Sequence, residues 1–106
     1  MSTSFKLIDE NDYAYSAQCK KTAAIQMSFG NVCLKLLPKE FYQLKNCVEN
    51  TLKGASQDKC PCCRNIVVST SVANMAFMFS LQELSKLHHV MVNTSTILEI
   101  QNILKN

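Results

Sequence analysis

The chain of 106 residues contains no tryptophan, two glycines and two prolines. So few turn formers argue against a disordered segment or a loop-rich secreted scaffold. No stretch approaches the roughly 20 apolar residues that cross a bilayer. The opening Met1-Ser2-Thr3-Ser4-Phe5-Lys6 lacks a charged stretch followed by an apolar one. No signal peptide is therefore read, and the cytosol is the expected location. The net charge is only +3, and Lys20-Lys21 is the sole adjacent basic pair, whereas nucleic-acid binders usually concentrate their lysines and arginines. No constellation of nucleophile, base and electrophile emerges, so an enzyme is not expected.

What is present is apolar mass. Hydrophobic residues make up 47% of the chain, enough for a single domain over 1–106 with a core that does not depend on disulfides. The six cysteines are expected to be thiols or metal ligands in a reducing compartment.

Two stretches share one plan. The first has Cys19 and Thr22, then Ile25-Gln26-Met27-Ser28-Phe29, Gly30-Asn31 and Val32-Cys33-Leu34-Lys35-Leu36, then Pro38 and Glu40-Phe41. The second has Cys60-Pro61-Cys62-Cys63, then Ile66-Val67-Val68-Ser69-Thr70, Ala73-Asn74 and Met75-Ala76-Phe77-Met78-Phe79, then Leu81-Gln82-Glu83-Leu84. Each reads as a cysteine turn, a β-hairpin and a helix, over about 13–53 and 58–106. Gly30-Asn31 tolerates positive φ between β-prone runs, which favours a tight hairpin. Pro38 suits a first helical turn, and Leu37, Phe41, Leu44, Val48 and Leu52 fall on one helical face. Ser80 with Glu83 makes a capping box before Leu84, Leu87, Met91 and Leu98. A long helix is expected there, with a possible interruption at Asn93-Thr94-Ser95-Thr96, all weak helix formers. Residues 5–8 and 13–17 read as further strands. The expected fold is α+β: two pseudo-repeated units joined in one antiparallel sheet of four or more strands, covered by helices.

Cys60-Pro61-Cys62-Cys63 has the form of a zinc knuckle, whose tight turn converges two thiolates on one metal. Cys19 would supply a third ligand, but Thr22 stands where a second cysteine of that turn belongs. Cys62 is the first choice for the fourth, ahead of Cys33, Cys47, a histidine or water. The candidate zinc ligands are therefore Cys19, Cys60, Cys63 and Cys62. The alternative is a set of small packing thiols. Cys33 and Cys47 are expected to be packing residues, as are the five methionines with Phe77 and Phe79. Adjacent His88 and His89 point in different directions and are not expected to chelate together. Glu40 and Glu83 occupy equivalent helix starts, which capping explains.

The pattern Cys19-x-x-Thr22-x-x-Ile25-Gln26-x-x-Phe29-Gly30-Asn31-Val32, with Glu40-Phe41 beyond it, resembles a family of short uncharacterised bacterial proteins found mainly in the Bacteroidota. That resemblance implies a cysteine turn, an IQxxFGN-like hairpin and a long C-terminal helix, and brings no activity with it. The functional expectation is a small non-enzymatic binding or adaptor protein. Ile97, Ile100 and Leu104 form an extra apolar stripe, the candidate surface for a homodimer or protein partner. An accessory role on nucleic acid or the ribosome through Lys20, Lys21 and Arg64 is the alternative. Thiol redox chemistry at Cys60 and Cys63 comes last.

Overall fold

The computed structural model describes residues 5–54, 63–70 and 74–105. It is an α+β arrangement of strands β1 (Phe5–Glu10), β2 (Ala14–Cys19), β3 (Ile25–Phe29) and β4 (Val32–Leu36), helix α1 (Pro38–Gly54), strands β5 (Ile66–Ser69) and β6 (Ala76–Phe79), and helix α2 (Leu81–Lys105). The first four strands form an antiparallel meander in the order β1-β2-β3-β4.

Turn chemistry explains the meander. Asn11 Oδ1 accepts the backbone N–H groups of Tyr13 and Ala14, a local side-chain turn that reverses the chain between β1 and β2. Gly30 takes φ of 56° between β3 and β4, where a side chain would be strained. Registers Ala14↔Phe29, Ser16↔Met27 and Met27↔Leu34 put these residues on one face of the sheet. That face, with Ile25, meets Phe41 and Val48 of α1 and Leu84, Leu87, Val90, Met91 and Leu98 of α2 to make the core.

The helices run antiparallel. His88 Nε2 lies 3.0 Å from Glu49 Oε2, and Glu99 acts on Tyr42 electrostatically from farther along α2. Both helix starts are capped as expected. Leu37 N–H donates to Glu40 Oε1, and Ser80 N–H to Glu83 Oε1. Ser80 Oγ returns the bond by accepting Glu83 N–H.

α2 is one helix from Leu81 to Lys105, with no interruption at 93–96. Tertiary partners outweigh the poor local propensity there. Thr94 Oγ1 donates its single hydroxyl hydrogen to Val90 O, so Ser16 must be the donor in the buried 2.5 Å Ser16–Thr94 bond. Asn93 Nδ2 donates to Asp9 Oδ2, and the Ser95 and Thr96 hydroxyls both donate to Val92 O. Asn11 Nδ2, donating to Lys86 O, ties the β1–β2 turn to the same helix.

The second hairpin departs from expectation. It is a two-stranded sheet of its own, and β4 does not hydrogen-bond to it. Its inward residues, Val68 and Phe79, enter the core, and Phe77 packs edge-on against Phe29 at a centroid distance of 5.3 Å. Anchored on that ring and on α1, the hairpin lies over the core instead of extending the sheet.

Several packing expectations are corrected. Cys33 and Cys47 are exposed. Cys33 alternates with Val32 and Leu34, so it falls on the sheet face away from the helices, while Cys47 neighbours buried Val48 and drops outside the helix stripe. Met27 and Met91 are core, but Met75 and Met78 are exposed, because Met78 sits on the outward face of the hairpin. Leu37 is also exposed, since it precedes the first turn of α1.

Candidate functional site

Cys19 ends β2, and its backbone N–H donates to Ala24 O across the turn that follows. The Thr22 hydroxyl, with the Lys21 and Thr22 backbone amides, holds the Cys19 thiol below its ordinary value. Threonine thus stabilises the thiolate of Cys19.

Cys63 is exposed and adjoins Arg64, which lines the same cleft as Tyr13 and Gly30. These lie at the opposite end of β2 from Cys19, a strand spanning about 16 Å at roughly 3.3 Å per residue. Two thiolates on one zinc stand within about 4 Å, given Zn–S bonds of about 2.3 Å. Among the described residues no three His, Cys, Asp or Glu side chains form a metal-holding group. The other two candidate ligands, Cys60 and Cys62, lie outside the described residues.

The candidate nucleic-acid residues are similarly divided. Lys20 and Lys21 are exposed beside Cys19. Arg64 instead forms a two-pronged ion pair with Glu83: Nε lies 3.0 Å from both carboxylate oxygens and Nη2 lies 2.8 Å from Oε2. The pair lowers the Glu83 carboxyl below its ordinary value and raises the Arg64 guanidinium, and it fastens the start of β5 to the first turn of α2. His88 bonds Glu49 while His89 is exposed, so the two histidines do point apart.

The interface candidates lie on the exposed side of α2. Ile97, Ile100 and Leu104 are all exposed, and Ile103, which the spacing argument passed over, is 73% exposed. Leu84, Leu87, Met91 and Leu98 on the other face of α2 are buried. The stripe is therefore surplus to the core.

Sequence reasoning missed a cleft of about 470 Å³ between the second hairpin and the tip of the first. One wall is the turn at 29–32 with Tyr13, the other is β6, and Arg64 lines it too. The Phe29 ring sits 5.3 Å from Phe77 and 5.6 Å from Phe79. Partial burial, with the Glu83 carboxylate nearby, raises the Tyr13 phenol above its ordinary value, and the Arg64 charge opposes this. A signal was available: residues 65–82 contain no Asp, Glu, Lys or Arg, the longest such stretch in the chain.

Residues 1–105 match the model of a family of unknown function, DUF6686, and the chain belongs to that family. No curated protein and no solved structure matches it. Among the described residues no helix is long and apolar enough to cross a membrane.

Proposed function

We propose that this member of a family of unknown function is a small non-enzymatic binding protein that self-associates through the C-terminal half of α2. The observation that carries this reading is the exposure of Ile97, Ile100, Ile103 and Leu104 on a helix whose opposite face already fills the core. Large exposed aliphatics clustered at helical spacing mark an interaction surface more often than scattered ones do. Burying each contributes roughly 1.5–3 kcal/mol, against association costs of about 4–15 kcal/mol. The stripe therefore supports a weak dimer or the centre of a larger interface.

Sedimentation velocity over a concentration series tests the reading. The parent chain should self-associate, and Ile100→Asp should weaken association at least tenfold while leaving the circular dichroism spectrum and melting temperature unchanged. A parent chain that stays monomeric near millimolar concentration would reject self-association. Unfolding of the Ile100→Asp variant would assign this position to the core.

A further inference from the structure

We infer that the cleft along β6 binds an extended, uncharged peptide segment, which adds to the second hairpin as a third strand. Side chains alternate across a strand, so a cleft touching one face would meet every second residue. This cleft meets all four residues of β6, Ala76, Phe77, Met78 and Phe79, and none of β5. It therefore runs along the β6 edge that faces away from β5. β5 is the only strand to which β6 is hydrogen-bonded among the described residues, so the backbone groups of this edge have no strand partner there.

The other sheet edges are protected. β1 carries Lys6, Asp9 and Glu10 and is broken by a register shift between Leu7 and Asp9. β4 carries Lys35, and β5 lies against α1. Charges, bulges and covering elements are the usual means by which exposed edges avoid pairing. Among the described residues β6 has none of them: its sequence is Ala-Phe-Met-Phe, and it opens on a cleft floored by Phe29, Phe77 and Phe79.

The occupant follows from these walls. The β6 backbone groups that have no strand partner among the described residues call for an extended main chain, and the aromatic floor calls for apolar side chains at alternate positions. Charge complementarity selects an uncharged segment, because Arg64, the only charged side chain lining the cleft among the described residues, is neutralised by Glu83. Nη1 of Arg64 takes no part in that pair and remains to donate to a main-chain carbonyl of the occupant. This placement is independent of the helix stripe.

The test uses the full chain and the blocked peptide acetyl-Gln-Val-Thr-Val-Thr-Val-Gln-amide. Its control is the same peptide with alternate backbone nitrogens methylated, which keeps the side chains but removes the strand-pairing donors. At millimolar peptide, amide resonances of 76–79 should shift, and exchange of the cleft-facing amides should slow at least tenfold. The methylated peptide should do neither. Asn31→Trp, placed on the exposed turn across the cleft, should weaken binding at least tenfold with no change in melting temperature. Equal effects of both peptides, no response of 76–79 at millimolar peptide, or undiminished binding by Asn31→Trp would each overturn the inference.

Discussion

The two hairpins follow the same order of elements but live in different surroundings. β3–β4 is part of a four-stranded sheet, and its inward face is filled by Ile25, Met27 and Phe29. β5–β6 stands alone, contributes Val68 and Phe79 to the core, and leaves Val67, Met75 and Met78 exposed. The helices do not each stay with their own hairpin. α2 lies mainly over β1 and β2, while α1 reaches across to β5. The two hairpin-and-helix stretches thus form interlocked and unequal halves. The lesson is that a hairpin acquires its stability from what covers it, because two strands alone are marginal in water.

A matched pair of substitutions probes this difference most strongly. Met27→Ala in the first hairpin should cost about 2–5 kcal/mol in urea unfolding, because the side chain is fully buried and leaves a cavity. Met78→Ala in the second should change stability by less than about 0.5 kcal/mol. Comparable losses at both positions would show that the hairpins are equally covered.

Next is the bond that joins the first sheet to α2 among its weak helix formers. Ser16→Ala should cost about 1–2 kcal/mol, since both hydroxyls are buried and Thr94 would lose its donor. In the Ser16→Ala, Thr94→Val double variant the loss should be smaller than the sum of the single losses, measured by a double-mutant cycle.

The two caps sharpen the comparison further. Glu83 caps α2 and also holds Arg64, whereas Glu40 only caps α1. Glu83→Gln should therefore destabilise by about 1 kcal/mol, more than Glu40→Gln, with Arg64 exposure limiting the ion pair's share. The Glu83 carboxyl is held below its ordinary value of 4.5, chiefly by Arg64. A depressed folded-state pKa stabilises the protein above the unfolded value, and that contribution is lost as pH falls through the folded one. Glu83→Gln should accordingly flatten the decline in melting temperature on acidification below about pH 4.5.

The smallest effect is expected at the cysteine turns. Cys19→Ser should shift stability by less than about 0.5 kcal/mol, with or without chelator, because Cys19 is only partly buried and joins no metal-holding group among the described residues. A chelator-dependent loss in the parent chain that disappears in Cys19→Ser would assign Cys19 to a metal site.

Several features could be read without any structure because their causes lie within a few residues. Gly30-Asn31 reverses the chain through backbone freedom at Gly30, and Glu40 and Glu83 reach back three residues to the helix starts they cap. The buried and exposed stripes of α2 likewise follow from helical spacing, so Ile100 could be separated from Leu98 by counting. The cleft was hidden because its walls are 29–32 and Ala76–Phe79, far apart in the chain. The absence of charge over 65–82 marked that hairpin as unusual but could not say which edge would stay open.

Local sequence thus determined the strands, turns, caps and amphipathic faces, since backbone conformational preference and side-chain periodicity act over one or two turns of chain. Tertiary structure alone decided that the hairpins would form separate sheets, that Ser16 would carry α2 unbroken past Thr94, and that Arg64 would face Glu83 while Cys19 lay at the far end of β2. Each of those outcomes depends on partners distant in sequence, and they meet only when burial of the shared apolar core brings them together.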